Sequence, residues 1–514
     1  MKKLALFLVL ILLLASVAGC TTGKTTKPAE TTGGSASGEG GLLFAEPVTL
    51  TMTIVENASY PYDKESFIRK KVLELFNVDL DITSVQDGYY DKINLDIASG
   101  DLDDIIYNTN YNELIKAGND GAYVDYNEHM DKMPNFNAWV NDRKDLVSYF
   151  LSAEGKLFIS PNEGYGDVGN RTFWLYRKDV FEKHDLKPPT TDEEVYEVAK
   201  KLKELYPNAY PVSNRGTYWE RIGVQWNTGY PMYYSDLTGK WSFGPTEDNF
   251  KDMLIFFNKL YEEELIPPNI LTIDTKGWQD IISTDKGFMT SDYIARIDFF
   301  NSPMREQNPD FTLAFMPPFK GGANGTPKHS IQETLVFAGL SVSSSSKMKE
   351  EAIKYVDNMY TDASEELYSW GVEGESFEKV DGKKQYIDVP EGAGYQFVIA
   401  KYGFFQRGFF ARVDPEAMGS PYSVDTLAAY QEAPKHDHVL RAPFVPFKED
   451  AMETKNILEP NILTHMEEAV ANFLIGQKDF SEWDTYKKEL DNLGLQDLIE
   501  LYNSSYDEFM STQE

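Results

Sequence analysis

The sequence predicts an α/β protein of more than one domain, with parallel strands layered between covering helices. Three observations predict it. Segments of apolar alternation take turns with segments of helical apolar spacing, the pattern of strand–helix–strand units. The chain has 514 residues, more than one core usually serves, since cores stop growing near about 250–300 residues. Hydrophobic and aromatic contents of 42% and 14% supply a packed interior. That interior must hold without disulfides, because Cys20 is the single cysteine.

The elements follow in order. Val48, Leu50, Met52 and Ile54 alternate with threonines, which predicts a strand. Ile68, Val72, Leu75 and Phe76 recur at helical spacing within Lys64–Phe76, and Val78, Leu80 and Ile82 alternate again. Tyr89–Ser99 reads as a short helix and Asp104–Tyr107 as a third strand. Ligands of such sheets sit beyond the carboxyl ends of the strands. Here those ends are Glu56–Tyr60 and Asn108–Tyr111, which carry amides, hydroxyls and aromatic rings.

A second α/β unit starts with a strand at Thr172–Arg177. Pro188, Pro189 and a Thr191…Glu194 capping-box spacing open the next helix, whose apolar face is Val195, Val198, Ala199, Leu202 and Leu205; Pro207 stops it. Asn249–Leu265 is a further amphipathic helix. Gly287–Tyr293, Phe311–Phe315 and Leu335–Val342 read as strands, and the tail from about Asn461 is helical. No internal repeat occurs.

The first residues have a different task. Lys2 and Lys3 precede an apolar run, Leu4–Leu14, and Val17-Ala18-Gly19-Cys20 ends it. This is a secretory signal, with an apolar run too short to span a membrane. It resembles a bacterial lipobox, with cleavage before Cys20 leaving a lipidated cysteine; the alternative is an ordinary signal with an incidental cysteine. Thr21–Gly41 has no large apolar residue and reads as a flexible linker; about twenty such residues span about 25 Å. The formal net charge of −33 disfavours nucleic acid and anionic membrane surfaces as partners.

Five segments carry a family resemblance along nearly the whole mature chain. They are Leu95–Ile106 (LDIASGDLDDII), Gly155–Pro161 (GKLFISP), Tyr176–Thr191, Ser369–Phe377 (SWGVEGESF), and Phe473–Gly476 with Trp483–Leu495. Together, behind a lipobox, they resemble the extracellular solute-binding proteins of ABC importers (family 1), in the lipoprotein subgroup related to alginate-oligosaccharide-binding proteins. The resemblance implies a two-lobed, periplasmic-binding-protein-like fold with a hinge, sheets rich in parallel strands and a helical C-terminal tail. It implies a signal at 1–19 and an anchored cysteine and linker at 20–46. The N-terminal lobe is expected at 47–170 plus about 311–365, and the C-terminal lobe at 171–310 plus about 366–514. It further implies a monomer, tethered to the outer face of the cell membrane in the Gram-positive manner, that passes an oligosaccharide to a permease. The alginate-binding relatives carry an acidic calcium loop where this chain has Tyr206–Pro211, without the closely spaced carboxylates such a loop needs. That calcium site is therefore expected to be absent, and no metal-ligating or cofactor residues are singled out.

Sugars offer flat C–H faces and rings of hydroxyls, so aromatic rings beside Asn, Asp, Arg or Gln mark candidates. Asn57, Tyr60, Asn108 and Asn110 are candidates by position at strand ends. Trp219 and Trp226, in a cluster with Glu220 and Arg221, either line the cleft or pack in the core. Tyr293 and Arg296 follow a strand at its carboxyl end. Trp370 and Glu373 lie near an expected hinge crossing, where Glu373 alternatively fixes a turn. Arg171, Arg215, Arg221, Arg296 and Arg407 are the cations available to an acidic sugar. No GxSxG, HExxH or P-loop pattern occurs, and His436-Asp437-His438 reads as a surface loop more readily than a metal site. The expected function is binding without catalysis. The rivals are a peptide or other small-solute receptor of the same fold, or an anchored glycoside hydrolase using two of the 82 acidic residues.

Overall fold

The computed structural model describes residues 42–57, 61–163, 172–217, 219–330, 338–439 and 442–511. The expected signal, Cys20, most of the linker, Tyr60 and Arg171 lie outside these. In chain order the strands are β1 (Val48–Val55), β2 (Val78–Val85), β3 (Ile105–Asn108), β4 (Ser160–Pro161), β5 (Thr172–Arg177), β6 (Met232–Ser235) and β7 (Lys240–Phe243). They continue with β8 (Met289–Tyr293), β9 (Leu313–Phe315), β10 (His329–Ser330), β11 (Gly339–Val342), β12 (Phe377–Val380), β13 (Lys383–Tyr386) and β14 (His438–Val439).

Two hydrophobic cores organise the molecule as two lobes. The first surrounds a five-stranded sheet of order β2-β1-β3-β11-β4. β1 is parallel to β2 and β3, and β11 is antiparallel to β3 and β4. Leu50, Met52 and Ile54 point into this core, as their alternation predicts. Helix Phe67–Phe76 adds Ile68 and Val72, and helix Tyr89–Ser99 adds Tyr89 and Ile93.

The second core surrounds the sheet β8-β5-β9, in which β5 is antiparallel to both neighbours; Val212 bridges Met289 in parallel. Helix Asp192–Leu205 begins where predicted, with the Thr191 hydroxyl accepting from the Glu194 amide at 3.2 Å. Helices Asp248–Glu262, Glu449–Leu474, Trp483–Asn492 and Leu495–Ser511 complete this lobe with Phe250, Leu254, Phe473, Trp483, Leu490 and Leu498.

The expected division of the chain is corrected at two places. Phe311–Phe319 belongs to the second core, because β9 pairs with β5. Leu367–Met418 belongs to the first, where Tyr368, Trp370, Phe404 and Phe409 pack. The first core thus draws on Leu50–Ile159 and Ala338–Met418, and the second on Phe173–Phe319 and Tyr422–Leu498. Tyr395 packs against both.

Candidate functional site

Strand register locates the face that each lobe turns to the other. In the first sheet, Asn108 at the carboxyl end of β3 lies opposite Gly339, and Gly339 lies opposite Pro161. The chain therefore leaves after β4 and returns before β11 at the carboxyl edge of β1 and β3. In the second sheet, Tyr293 at the carboxyl end of β8 lies opposite Thr172, where the chain arrives. Both carboxyl edges thus adjoin the passages that join the lobes, which is where ligands of such sheets bind. Tyr111, just beyond β3, meets Phe444 of the segment after β14 with 3.8 Å between ring centroids.

On the second-lobe edge the organising group is Asp292, whose side chain is 0% exposed. A buried carboxylate must be paired and fully hydrogen-bonded. Here Arg215 Nε donates to it at 2.6 Å, Arg296 Nε at 3.3 Å and the Tyr293 amide at 2.7 Å. Arg296 is stacked between Trp278 and Phe299, 5.4 and 4.9 Å from their centroids. Arg221 lies 5.2 Å above the Tyr293 ring, and its Nη2 donates to the Tyr293 hydroxyl at 3.3 Å. Asn214 holds Arg215 in place by accepting from the Ser291 amide of β8 at 2.7 Å. The result is a half-buried ring, Tyr293, flanked by three fixed guanidiniums.

On the first-lobe edge, the Tyr90 hydroxyl accepts from the Thr109 amide at 2.8 Å, just past β3. Asn57 is half-buried beyond β1. Residues 403–412 run along this same edge, from Gly403 beside Ser66 and Ile68 to Ala411, whose carbonyl accepts from the Glu163 amide. At Gly408, φ is +87° and a Cβ would come within 2.9 Å of Ile54 at the end of β1, so glycine is required there. Its neighbour Arg407 is half-buried and pairs with no described residue.

Several predicted site residues prove structural. Asn108 is wholly buried and donates to Ser341 Oγ at 2.9 Å, so it faces the sheet interior. Asn110 caps helix Tyr111–Asn119, accepting from the Asn112 and Glu113 amides. Trp219 packs on Phe250 and Phe257, and Trp226 on Phe256, Phe257 and Phe319; both are core. Trp370 is buried in the first core with its Nε1 donating to Asp414 at 2.7 Å. Glu373 is exposed and pairs with Lys379 across a turn. Asn57, Tyr293 and Arg296 remain at the edges.

Asp292, Asn214 and Tyr90 escaped the sequence reading. Only Asp292 left a signal: a carboxylate in the otherwise uncharged strand Met289–Tyr293 demands a buried cation. Among the described residues no group of three or more His, Cys, Asp or Glu side chains is placed to hold a metal ion. No described helix is long and apolar enough to cross a membrane.

Comparison with known proteins gives three kinds of likeness. The family model of the bacterial extracellular solute-binding proteins matches residues 63–366. The fructooligosaccharide ABC transporter substrate-binding protein FusA of Streptococcus pneumoniae serotype 4 (strain ATCC BAA-334 / TIGR4) is 21% identical, covering 91% of this chain and 92% of its own. Lipoprotein LipO of Bacillus subtilis (strain 168) is 23% identical, covering 95% and 96%. In structure, the alginate-binding protein AlgQ2 without calcium ion superposes with a TM-score of 0.75 at 22% identity, over 91% of this chain and 99% of its own. That last likeness is one of fold.

Proposed function

The chain belongs to the bacterial extracellular solute-binding protein family, and from that premise we propose that it captures an oligosaccharide between its lobes and delivers it to the permease of an ABC importer. The observation that carries the reading is the pair of carboxyl edges facing the passages between the lobes, one bearing Tyr293 with Arg215, Arg221 and Arg296, the other Asn57, Tyr90 and Arg407. Tyr293 offers a face for a sugar ring, and the guanidiniums and amides offer paired donors for hydroxyls. The relatives support the ligand class, FusA by its fructooligosaccharides and AlgQ2 by its alginate. No bond is made or broken: ligand favours the closed arrangement because both edges then contact it.

Cys20 is the proposed lipid anchor, with Thr21–Gly41 as the tether that keeps the lobes near the permease. Its substitution, Cys20→Ala, should move the exported protein from the detergent phase to the aqueous phase in a detergent-partition assay. The binding reading is tested by X-ray scattering and thermal melting of the soluble body across a glycan panel. A cognate oligosaccharide should reduce the radius of gyration and raise the melting temperature. A broad panel that leaves both unchanged would overturn the reading.

A further inference from the structure

We infer that residues 442–448 form a strap between the lobes, and that Phe444 seated on Tyr111 holds the unliganded receptor toward its closed arrangement; the inference rests on the receptor reading above. The segment (APFVPFK) joins β14 to helix Glu449–Leu474 and forms neither helix nor strand. Pro443 and Pro446 lack the amide hydrogens that either would use. Its apolar side chains are divided between the lobes. Phe447 packs edge-on against Tyr502 of the second lobe, with 4.9 Å between ring centroids. Phe444 meets Tyr111 at 3.8 Å, and Tyr111 packs against the first core. Between them Val445 is 4% exposed, yet it belongs to neither core.

The first-lobe seat is rigid. Tyr111 opens a helix capped by Asn110, and its hydroxyl donates to the Leu151 carbonyl at 2.7 Å. Leu151 leads into a turn pinned by buried Ser152, whose hydroxyl accepts from the Glu154 and Lys156 amides at 3.2 Å. Beside the ring contact lies a groove of about 520 Å³, with Ala153 of that turn on one side and Pro446, Leu501 and Phe509 on the other. The lobes have room to shift here, and opening the cleft draws Tyr111 away from Phe444. The free energy of the ring pair is therefore added to the closed arrangement alone. Such a pair is worth about two- to tenfold in an equilibrium. A ligand that needs the closed arrangement gains in proportion to the fraction already closed. Phe444 is thus a positioning residue, acting through the lobes and equally for every sugar.

The test is X-ray scattering and titration calorimetry of the parent, Phe444→Ala and Phe444→Tyr, with urea unfolding to show that each is folded. Without sugar, Phe444→Ala should have a larger radius of gyration than the parent, and Phe444→Tyr, which keeps the ring, the parent's value. The probes are fructo-, manno- and alginate oligosaccharides. Each one that binds the parent should bind Phe444→Ala about two- to tenfold more weakly, by one common factor. If Phe444→Ala does not fold, Phe444→Leu carries the same comparison. An unchanged unliganded radius in the folded variant overturns the strap. Unequal losses among the probes make Phe444 a sugar contact and overturn it as well. If no probe binds the parent, the receptor reading falls, and the unliganded radii still decide the strap.

Discussion

His329 should make the second lobe sensitive to acid, and the size of the effect follows from its surroundings. The residue opens β10 and is 2% exposed. Its ring sits 4.4 Å from Phe173, 5.5 Å from Phe315 and 5.7 Å from His436, and its strand register places it opposite His438. Burial, reinforced by the neighbouring imidazoles of His436 and His438, pulls its pKa from 6.5 down to about 3. The adjacent Lys328 is taken up by Asp236 at 3.1 Å. The unfolded chain binds a proton below about pH 6.5 that the folded protein refuses. Stability is therefore fully present above that pH and is lost as pH falls toward 3. Between pH 7 and pH 4.5 the loss is about 2–3 kcal/mol. Urea unfolding of the parent and of His329→Met at both pH values isolates the effect of His329 and its coupling to His436 and His438, since titrating groups remote from it cancel in the difference. The variant should gain about 2–3 kcal/mol on the parent between pH 7 and 4.5. A difference that does not change with pH would refute the reasoning.

Other consequences of the geometry are as direct. Trp226→Ala removes a ring packed on Phe256, Phe257 and Phe319, and should cost about 3–5 kcal/mol of stability in urea titrations. Tyr293→Ala, at the half-buried edge, should instead weaken sugar binding by calorimetry with little change in unfolding midpoint. Asp292→Asn withdraws the charge shared by Arg215 and Arg296. Because each arginine keeps a fifth of its side chain in solvent, the loss should be about 1–3 kcal/mol, smaller than for a fully buried pair. The same variant should loosen sugar binding, measured at a temperature where it remains folded.

The fold was largely legible because its signals are local. Alternation at Val48–Ile54 and the Thr191 cap depend on neighbours in sequence, and both elements form as read. The strand ends that face the passages between lobes followed from the same pattern. Side-chain direction at those ends was less legible. Asn108 stands at the right end of β3 yet turns inward, because the Ser341 hydroxyl that receives it arrives on β11, far along the chain. The tryptophans carried a legible warning: Trp219, Ile222 and Trp226 follow helical spacing, the mark of a buried face, and all three are buried. Lobe boundaries failed for the reason Asn108 did. β9 and the segment Leu367–Met418 are assigned by partners that no local pattern announces.

The position of β11 governs how the molecule can be made. It lies between β3 and β4, so β3, which ends at Asn108, waits for residues 339–342 to cover its edge. Through that interval β4 lacks its described neighbour as well. The first core is complete only near Met418 and the second only near Leu498. Synthesis from the amino end therefore cannot finish one lobe before starting the other. Contacts of such long sequence separation form slowly, and the uncovered β3 edge is meanwhile a template for pairing with another chain. Neither lobe is a contiguous stretch of chain, and a chain truncated before Gly339 leaves the edges of β3 and β4 uncovered.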